Sequence, residues 1–257
     1  MTSSRHVPRE LEPIAARGWP AARSGRLGGW LLFASDGHSG RINACWPIGE
    51  PGLPLDEAVA WAEAWYVRRG LPTLFKIVEA ACDPAELPQF LTARGYRPHT
   101  ETLLMTGGVN GVESGVVSVS DRLEAQFADV FAATGAGQGD SAERLAALAR
   151  MPTPRGFARL DIDGATAAIG ACAVDGEWAG VFAMRTDPRR RRSGLARGVL
   201  GGLLAFAQRS GARHAYLQVE ATNIAALALY RQAGFEEAYR YRYWSRSRGA
   251  PHTVSAG

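Results

Sequence analysis

The stretch that most constrains this chain is Pro188 to Gly198, PRRRRSGLARG, set between an apolar run and an amphipathic one. Upstream, Trp178 to Met184 reads as a buried strand. Downstream, Val199, Leu200, Leu203, Leu204 and Ala207 recur at helical spacing, so a helix opens near Gly194. A strand that feeds an arginine-rich, glycine-bearing turn into a helix N-terminus builds an anion site. The first helical N–H groups have no partner within the helix, the helix dipole is positive there, and glycine lets the backbone approach a ligand closely. Charge is concentrated at the same place: residues 185–197 carry a net +5, whereas the whole chain is +4. A nucleic-acid binder spreads its positive charge over a face, so a cluster at one helix entry suits a compact polyanion instead. The run contains no G-x-x-x-x-G-K-[ST] pattern and lacks the three glycines of a dinucleotide-binding turn.

The elements around the loop can be read in order. Arg213 to Glu220 alternates like a strand. Asn223 then begins a helical stretch that stops at Gly234, a left-handed cap position, and Tyr239 to Trp244 alternates aromatic and basic residues as a further strand. Before the loop, Val116 to Ser120 reads as a strand, and Leu123 to Ala133 and Ala142 to Ala149 as helices. Phe157 to Ile162, Ala165 to Val174 and Glu177 to Arg185 read as strands joined at Asp163-Gly164 and Asp175-Gly176, favoured two-residue hairpin turns.

The spacing Arg191-x-x-Gly194-x-Ala196 resembles the pyrophosphate-binding signature R/Q-x-x-G-x-G/A of the GNAT (Gcn5-related) N-acetyltransferases. Asn223, Ala226, Leu229, Tyr230, Gly234 and Phe235 resemble the second signature of that family, N-x-x-A-x-x-L-Y-x-x-x-G-F. The resemblance covers Val116 to Ser247. It implies acetyl-CoA as co-substrate, no metal, and direct attack of a primary amine in a ternary complex. On that basis Met184, Arg185 and Thr186 pair with the pantetheine arm through their backbone, and the N–H of Met184 or Arg185 stabilises the oxyanion. Arg191, Arg192, Ser193, Gly194, Leu195, Ala196 and Arg197 cradle the pyrophosphate. Asn223 holds the pantetheine and is also a favoured helix N-cap. Tyr230 stands among the coenzyme-binding residues and, as general acid, protonates the departing thiolate.

The general base is less direct. Some members carry a glutamate at the position of Gln218, which cannot accept a proton here. Glu220, two residues on and on the same strand face, is the local candidate, with a solvated strand-end carboxylate as the other reading. His214 is expected at the surface. Arg192 stands where glycine is common; the turn accepts it at negative φ and is strained at positive φ. The acceptor is expected beside the last strands or between two halves of the chain, with Trp178, Tyr239, Tyr241 and Tyr243 as a wall.

The rest of the chain resembles its second half. Arg69 to Ala80 lies over Ser210 to Ala221 without a gap, and Leu91 to Tyr96 mirrors Tyr230 to Phe235. Opposite the arginine loop stands Gly49 to Asp56, acidic and broken by prolines; opposite Tyr230 stands Leu91. The expected fold is therefore α/β (α+β), two GNAT-like domains, each a mixed, mostly antiparallel sheet flanked by helices. Residues 1–110 form a degenerate GNAT-like domain, 111–115 a linker, 116–247 the catalytic domain and 248–257 a flexible tail.

Composition bounds the remaining classes. A length of 257 residues suits two domains. The run Gly198 to Ala207 is too short for a bilayer, and the N-terminus lacks a signal-peptide core. Cys45, Cys82 and Cys172 have no metal spacing, and their odd number argues against a disulfide framework, so a cytoplasmic protein is expected. Lys76 is the only lysine, an arginine skew that points to a GC-rich bacterial genome. The partner expected is a small-molecule or peptide amine, with no nucleic acid, no membrane, and a homodimer left open. The alternatives are a catalytically silent coenzyme A-binding or partner-binding protein and, below it, a nucleic-acid binder.

Overall fold

The computed structural model describes residues 6–111 and 116–246. Residues 112–115 of the expected linker, Ser247 and the expected tail at 248–257 lie outside the described residues. In the first half are α1 (His6–Gly18), β1 (Arg23–Leu27), β2 (Trp30–Ala34), β3 (Cys45–Pro47), α2 (Leu55–Val67), β4 (Leu74–Ile77), α3 (Leu87–Ala93) and β5 (Arg97–Gly108). In the second are β6 (Val117–Ser120), α4 (Ala125–Ala133), α5 (Gln138–Ala149), β7 (Arg155–Ile162), β8 (Ala165–Asp175), β9 (Trp178–Thr186), α6 (Leu195–Arg209), β10 (His214–Glu220), α7 (Ile224–Gln232) and β11 (Glu236–Ser245).

The mixed, mostly antiparallel sheet flanked by helices is present, and it runs through both halves without a break. Its order is β1-β2-β3-β4-β11-β5-β10-β9-β8-β7-β6. Only β3–β4 and β9–β10 pair in parallel. From the β11–β5 centre the order runs outward in the same way on both sides: β4, β3, β2, β1 on one and β10, β9, β8, β7 on the other. Each half lends its last strand to the other, since β5 pairs with β10 and β11 pairs with β4. The sequence of β5 suits this central place. Leu103, Leu104 and Met105 are all buried, so both faces of the strand are covered.

Three apolar clusters hold the sheet. The face of α6 marked by Val199, Leu200, Leu203, Leu204 and Ala207 is buried against Leu160, Ala168 and Cys172. Gly202 permits that close approach, because a Cβ there would stand 2.7 Å from Val117 Cγ1. On the other face Phe127 and Phe131 of α4 join Phe157, Phe182 and Trp19. In the first half, Tyr66 of α2 and Leu87 and Leu91 of α3 cover Trp30, Phe75 and Tyr96. Helix α1 packs on β8 and β9, so the first helix of the chain braces the strands that build the site.

Candidate active site

The site opens where two parallel strands part. β9 and β10 are in register from Trp178↔His214 to Val181↔Leu217 and no further. β9 continues to Thr186, and β10 remains paired with β5 to Glu220. The segment Phe182 to Thr186 therefore presents one backbone edge that β10 does not use. A bulge lies in that segment: Ala183 and Met184 stand opposite the single residue Gly170, and Ala183 has a φ of +55°. A bulge re-aims the backbone groups of its strand. The parting strands enclose a cleft of 880 Å³.

One end of the cleft is the arginine loop. Asp187 accepts from the N–H of Arg189 at 3.0 Å and fixes the turn that leaves β9. The first intrahelical bond of α6 runs from Gly198 N to Gly194 O at 3.2 Å. The N–H groups of Leu195, Ala196 and Arg197 therefore have no helical partner, as the start of a helix requires. Gly194 is the N-cap at φ +77°, and a Cβ there would meet nothing within 4 Å. Arg191 and Arg192 are exposed and make no ion pair or hydrogen bond among the described residues. Backbone donors, open space and two available guanidiniums fit a pyrophosphate.

Arg192 has a φ of +62°, the strained alternative. A left-handed L-residue costs about 1–2 kcal/mol. Arg192→Gly is therefore expected to raise stability by about 1 kcal/mol, read as an upward shift of the urea midpoint at constant slope. An unchanged midpoint would contradict the strain.

The cleft is also lined by Asn223, Tyr230 and Glu220. Asn223 caps α7, its Oδ1 accepting from Ala226 N at 3.2 Å, which leaves the amide Nδ2 as a donor. The Tyr230 ring is buried, and burial pushes the phenol up to about 12. Glu220 is half-buried; burial raises its pKa, opposed by the charges of Arg144 and Arg41. Arg185 is buried, donates to Thr134 O at 3.0 Å, and lies 4.9 Å from the centre of the Phe131 ring. Burial lowers its pKa to about 10.

The expected residues Met184, Arg185, Thr186, Arg191, Arg192, Gly194, Leu195, Ala196, Arg197, Asn223, Tyr230 and Glu220 all line this one cleft. Ser193 does not, being exposed on the outside of the turn. Of the four expected wall aromatics, Tyr241 and Tyr243 line it and Trp178 and Tyr239 do not. Trp178 lies at the end of β9 still paired with β10, its ring 4.9 Å from that of exposed His214. The hydroxyl of Tyr239 is drawn away to Glu12, at 2.7 Å.

Sequence reasoning missed the contribution of other elements. Arg41, Thr102, Thr134 and Arg144 line the cleft from the first half and from α4 and α5. Arg41 is carried on the short 3-10 turn Gly40–Ile42. Buried Glu143 of α5 holds that region, accepting from Asp36 N at 2.6 Å, Ser39 N at 2.5 Å and Asn43 Nδ2 at 2.8 Å. A buried carboxylate with several donors is a strong tether. Among the described residues no cluster of His, Cys, Asp or Glu is placed to hold a metal, and no helix is long and apolar enough to cross a membrane.

Residues 7–244 match the model of the family described as "Probable histone acetyltransferase Rv0428c C-terminal". The chain belongs to this family, within the GNAT superfamily. It is an acyltransferase of the GNAT type. An uncharacterized N-acetyltransferase of Bacillus subtilis, YobR, is 27% identical over 246 residues, 91% of this chain and 97% of that one. A mycothiol acetyltransferase of Clavibacter sepedonicus is 38% identical over 187 residues. That match covers 72% of this chain and 51% of the relative, so the acetyltransferase spans about half the length of that protein. The fold is shared with a GCN5-related N-acetyltransferase from Kribbella flavida, at a TM-score of 0.68 and 14% identity over 100% of this chain and 99% of that one.

Proposed function

We propose that the chain binds acetyl-CoA in this cleft and transfers the acetyl group to a primary amine by direct attack. The observation that carries the reading is convergence. One cleft joins the unpaired N–H groups of α6, the free edge of β9 and the hydroxyl of Tyr230. Bound acetyl-CoA supplies a thioester, an acyl group already activated toward amines.

The residues divide the remaining work. The loop from Arg191 to Arg197 binds the pyrophosphate. The edge from Phe182 to Thr186 pairs with the pantetheine, with Asn223 Nδ2 donating to it, and the N–H of Met184 or Arg185 stabilises developing negative charge on the carbonyl oxygen. Tyr230 holds a proton for the departing sulfur, and Glu220 accepts one from the amine. The first half is read as a degenerate GNAT-like unit. Its counterpart of the arginine loop carries Glu50, whose carbonyl accepts from Gly29 N at 2.6 Å, so the β1–β2 turn packs where a phosphate would sit. The three cysteines are free and buried, which fits a cytoplasmic setting.

Two experiments bear on this reading. Thiol release from acetyl-CoA, followed across a panel of primary amines, is expected to give acetylated product and free coenzyme A in equal amounts. Hydrolysis without acetylated amine would contradict it. With an accepted amine, kcat/KM is expected to rise with pH through a Glu220 pKa above the ordinary carboxylate range, because only the ionised form accepts a proton. Glu220→Gln is expected to lose that acid-side limb and about 10²-fold or more of the rate. A variant that keeps the limb would place the base elsewhere.

A further inference from the structure

Resting on that reading, we infer that the amine acceptor also carries a carboxylate, as an amino acid does, and that Arg41 and Gln218 seat it beside Glu220. The basic residues of the cleft form two groups. Arg190, Arg191, Arg192 and Arg197 stand at the entry of α6, where the pyrophosphate belongs. Arg41, Arg144 and Arg185 come from three separate elements, the Gly40–Ile42 turn, α5 and β9. Glu220 is the sole carboxylate lining the cleft among the described residues. Arg144 and Arg41 both act on its titration, so both guanidiniums lie within electrostatic reach of it.

Two donors there have no acceptor. Arg41 makes no hydrogen bond or ion pair among the described residues, and its Nε is shut off from solvent. Gln218 is 7% exposed; its Oε1 accepts from the Tyr241 hydroxyl at 2.7 Å, while its Nε2 is buried without a partner. Buried donors left unmatched are costly, and such groups signal a missing acceptor. The terminal nitrogens of Arg41 are not shut off in this way, and Arg41 lines the cleft, so a ligand oxygen there meets its guanidinium. A carboxylate matches a guanidinium in both charge and shape. Arg144 is already paired with Asp140 at 2.7 Å, whereas Arg41 has no ion pair among the described residues, and a lysine side chain or a polyamine offers it no counter-charge. An amino acid brings the amine for Glu220 and the counter-charge for Arg41.

The test compares each of the twenty L-amino acids with its carboxamide, and with spermidine and a lysine-rich peptide, as acceptors for acetyl-CoA. At least one acid is expected to exceed its amide by tenfold or more in kcat/KM. Arg41→Gln is expected to collapse that ratio through KM, and Arg41→Lys to restore part of it. Amides, spermidine or the peptide acetylated as well as or better than the acids would overturn the inference, as would a ratio unmoved by Arg41→Gln. The acid-to-amide comparison in the unaltered protein stands even if a variant fails to fold. Calorimetric titration of acetyl-CoA into the same preparation separates the failures. Coenzyme bound with no acid accepted overturns this inference alone; no coenzyme bound overturns the reading beneath it as well.

Discussion

Tyr230→Phe is expected to lower kcat by about 10²- to 10⁴-fold while acetyl-CoA affinity stays nearly unchanged. The ring sits on α7 with 7% of the residue exposed, its centre 6.2 Å from that of Phe235. Phenylalanine fills that space equally well, so the fold has no reason to respond. The hydroxyl differs: it makes no hydrogen bond among the described residues, and the residue lines the cleft. Desolvation pushes the phenol up to about 12, with Arg41 pulling weakly in the other direction. The group is therefore protonated throughout the neutral range, as a donor to a departing thiolate must be. Steady-state kinetics with an accepted amine read the effect. A kcat within threefold of the unaltered enzyme would assign the proton to water or to another side chain.

Lys76→Met is expected to destabilise the fold by about 3–5 kcal/mol. Lys76 and Glu12 are both fully buried, with Nζ 2.5 Å from Oε2. The Tyr239 hydroxyl donates to Oε1 of the same carboxylate at 2.7 Å. The ammonium also lies 3.7 Å from the centre of the Trp46 ring and 4.1 Å from that of Tyr241. The pair ties α1 to β4 within the first half, and the Tyr239 hydroxyl links the same carboxylate to β11 of the second. Removing the lysine alone leaves the Glu12 side chain buried without its counter-charge. Removing both charges, as in Lys76→Met with Glu12→Leu, is expected to recover most of the loss, because a buried pair is often replaceable by apolar side chains. Urea unfolding measures both. A single variant as stable as the parent would show that Glu12 takes a proton or another partner without cost.

What the sequence made legible was local. The α6 face needed only its own spacing, and that stripe is the one buried. The anion loop needed only the order of strand, arginines, glycine and helix. The missing parts are set by distant pairing. β9 and β10 separate after Val181, where β9 carries the bulge at Ala183 and Met184, while β10 stays paired on its far side with β5 from the other half. No pattern within 178–186 announces it. Arg41 reaches the cleft on a loop of the first half that Glu143 and its donors hold against α5, which itself carries Arg144; in the sequence Glu143 is an ordinary helical glutamate. Alternation along 239–243 placed three tyrosines on one face, and it could not say that Tyr239 would turn to Glu12 while Tyr241 turned to Gln218. One buried charge did leave a trace. Lys76 is flanked by Phe75 and Ile77 in the strand Leu74–Ile77, and a lone lysine there needs a buried counter-charge.

The proposed function places one coenzyme site in the cleft between β9 and β10 and none in the first half of the chain. Calorimetric titration of acetyl-CoA into the full chain tests it most directly, with Gly194→Glu as the paired variant. That substitution places a side chain at a left-handed backbone position and a carboxylate where the pyrophosphate would sit. One molecule bound per chain and no detectable binding to the variant are expected. Two molecules per chain, or binding that survives Gly194→Glu, would contradict it.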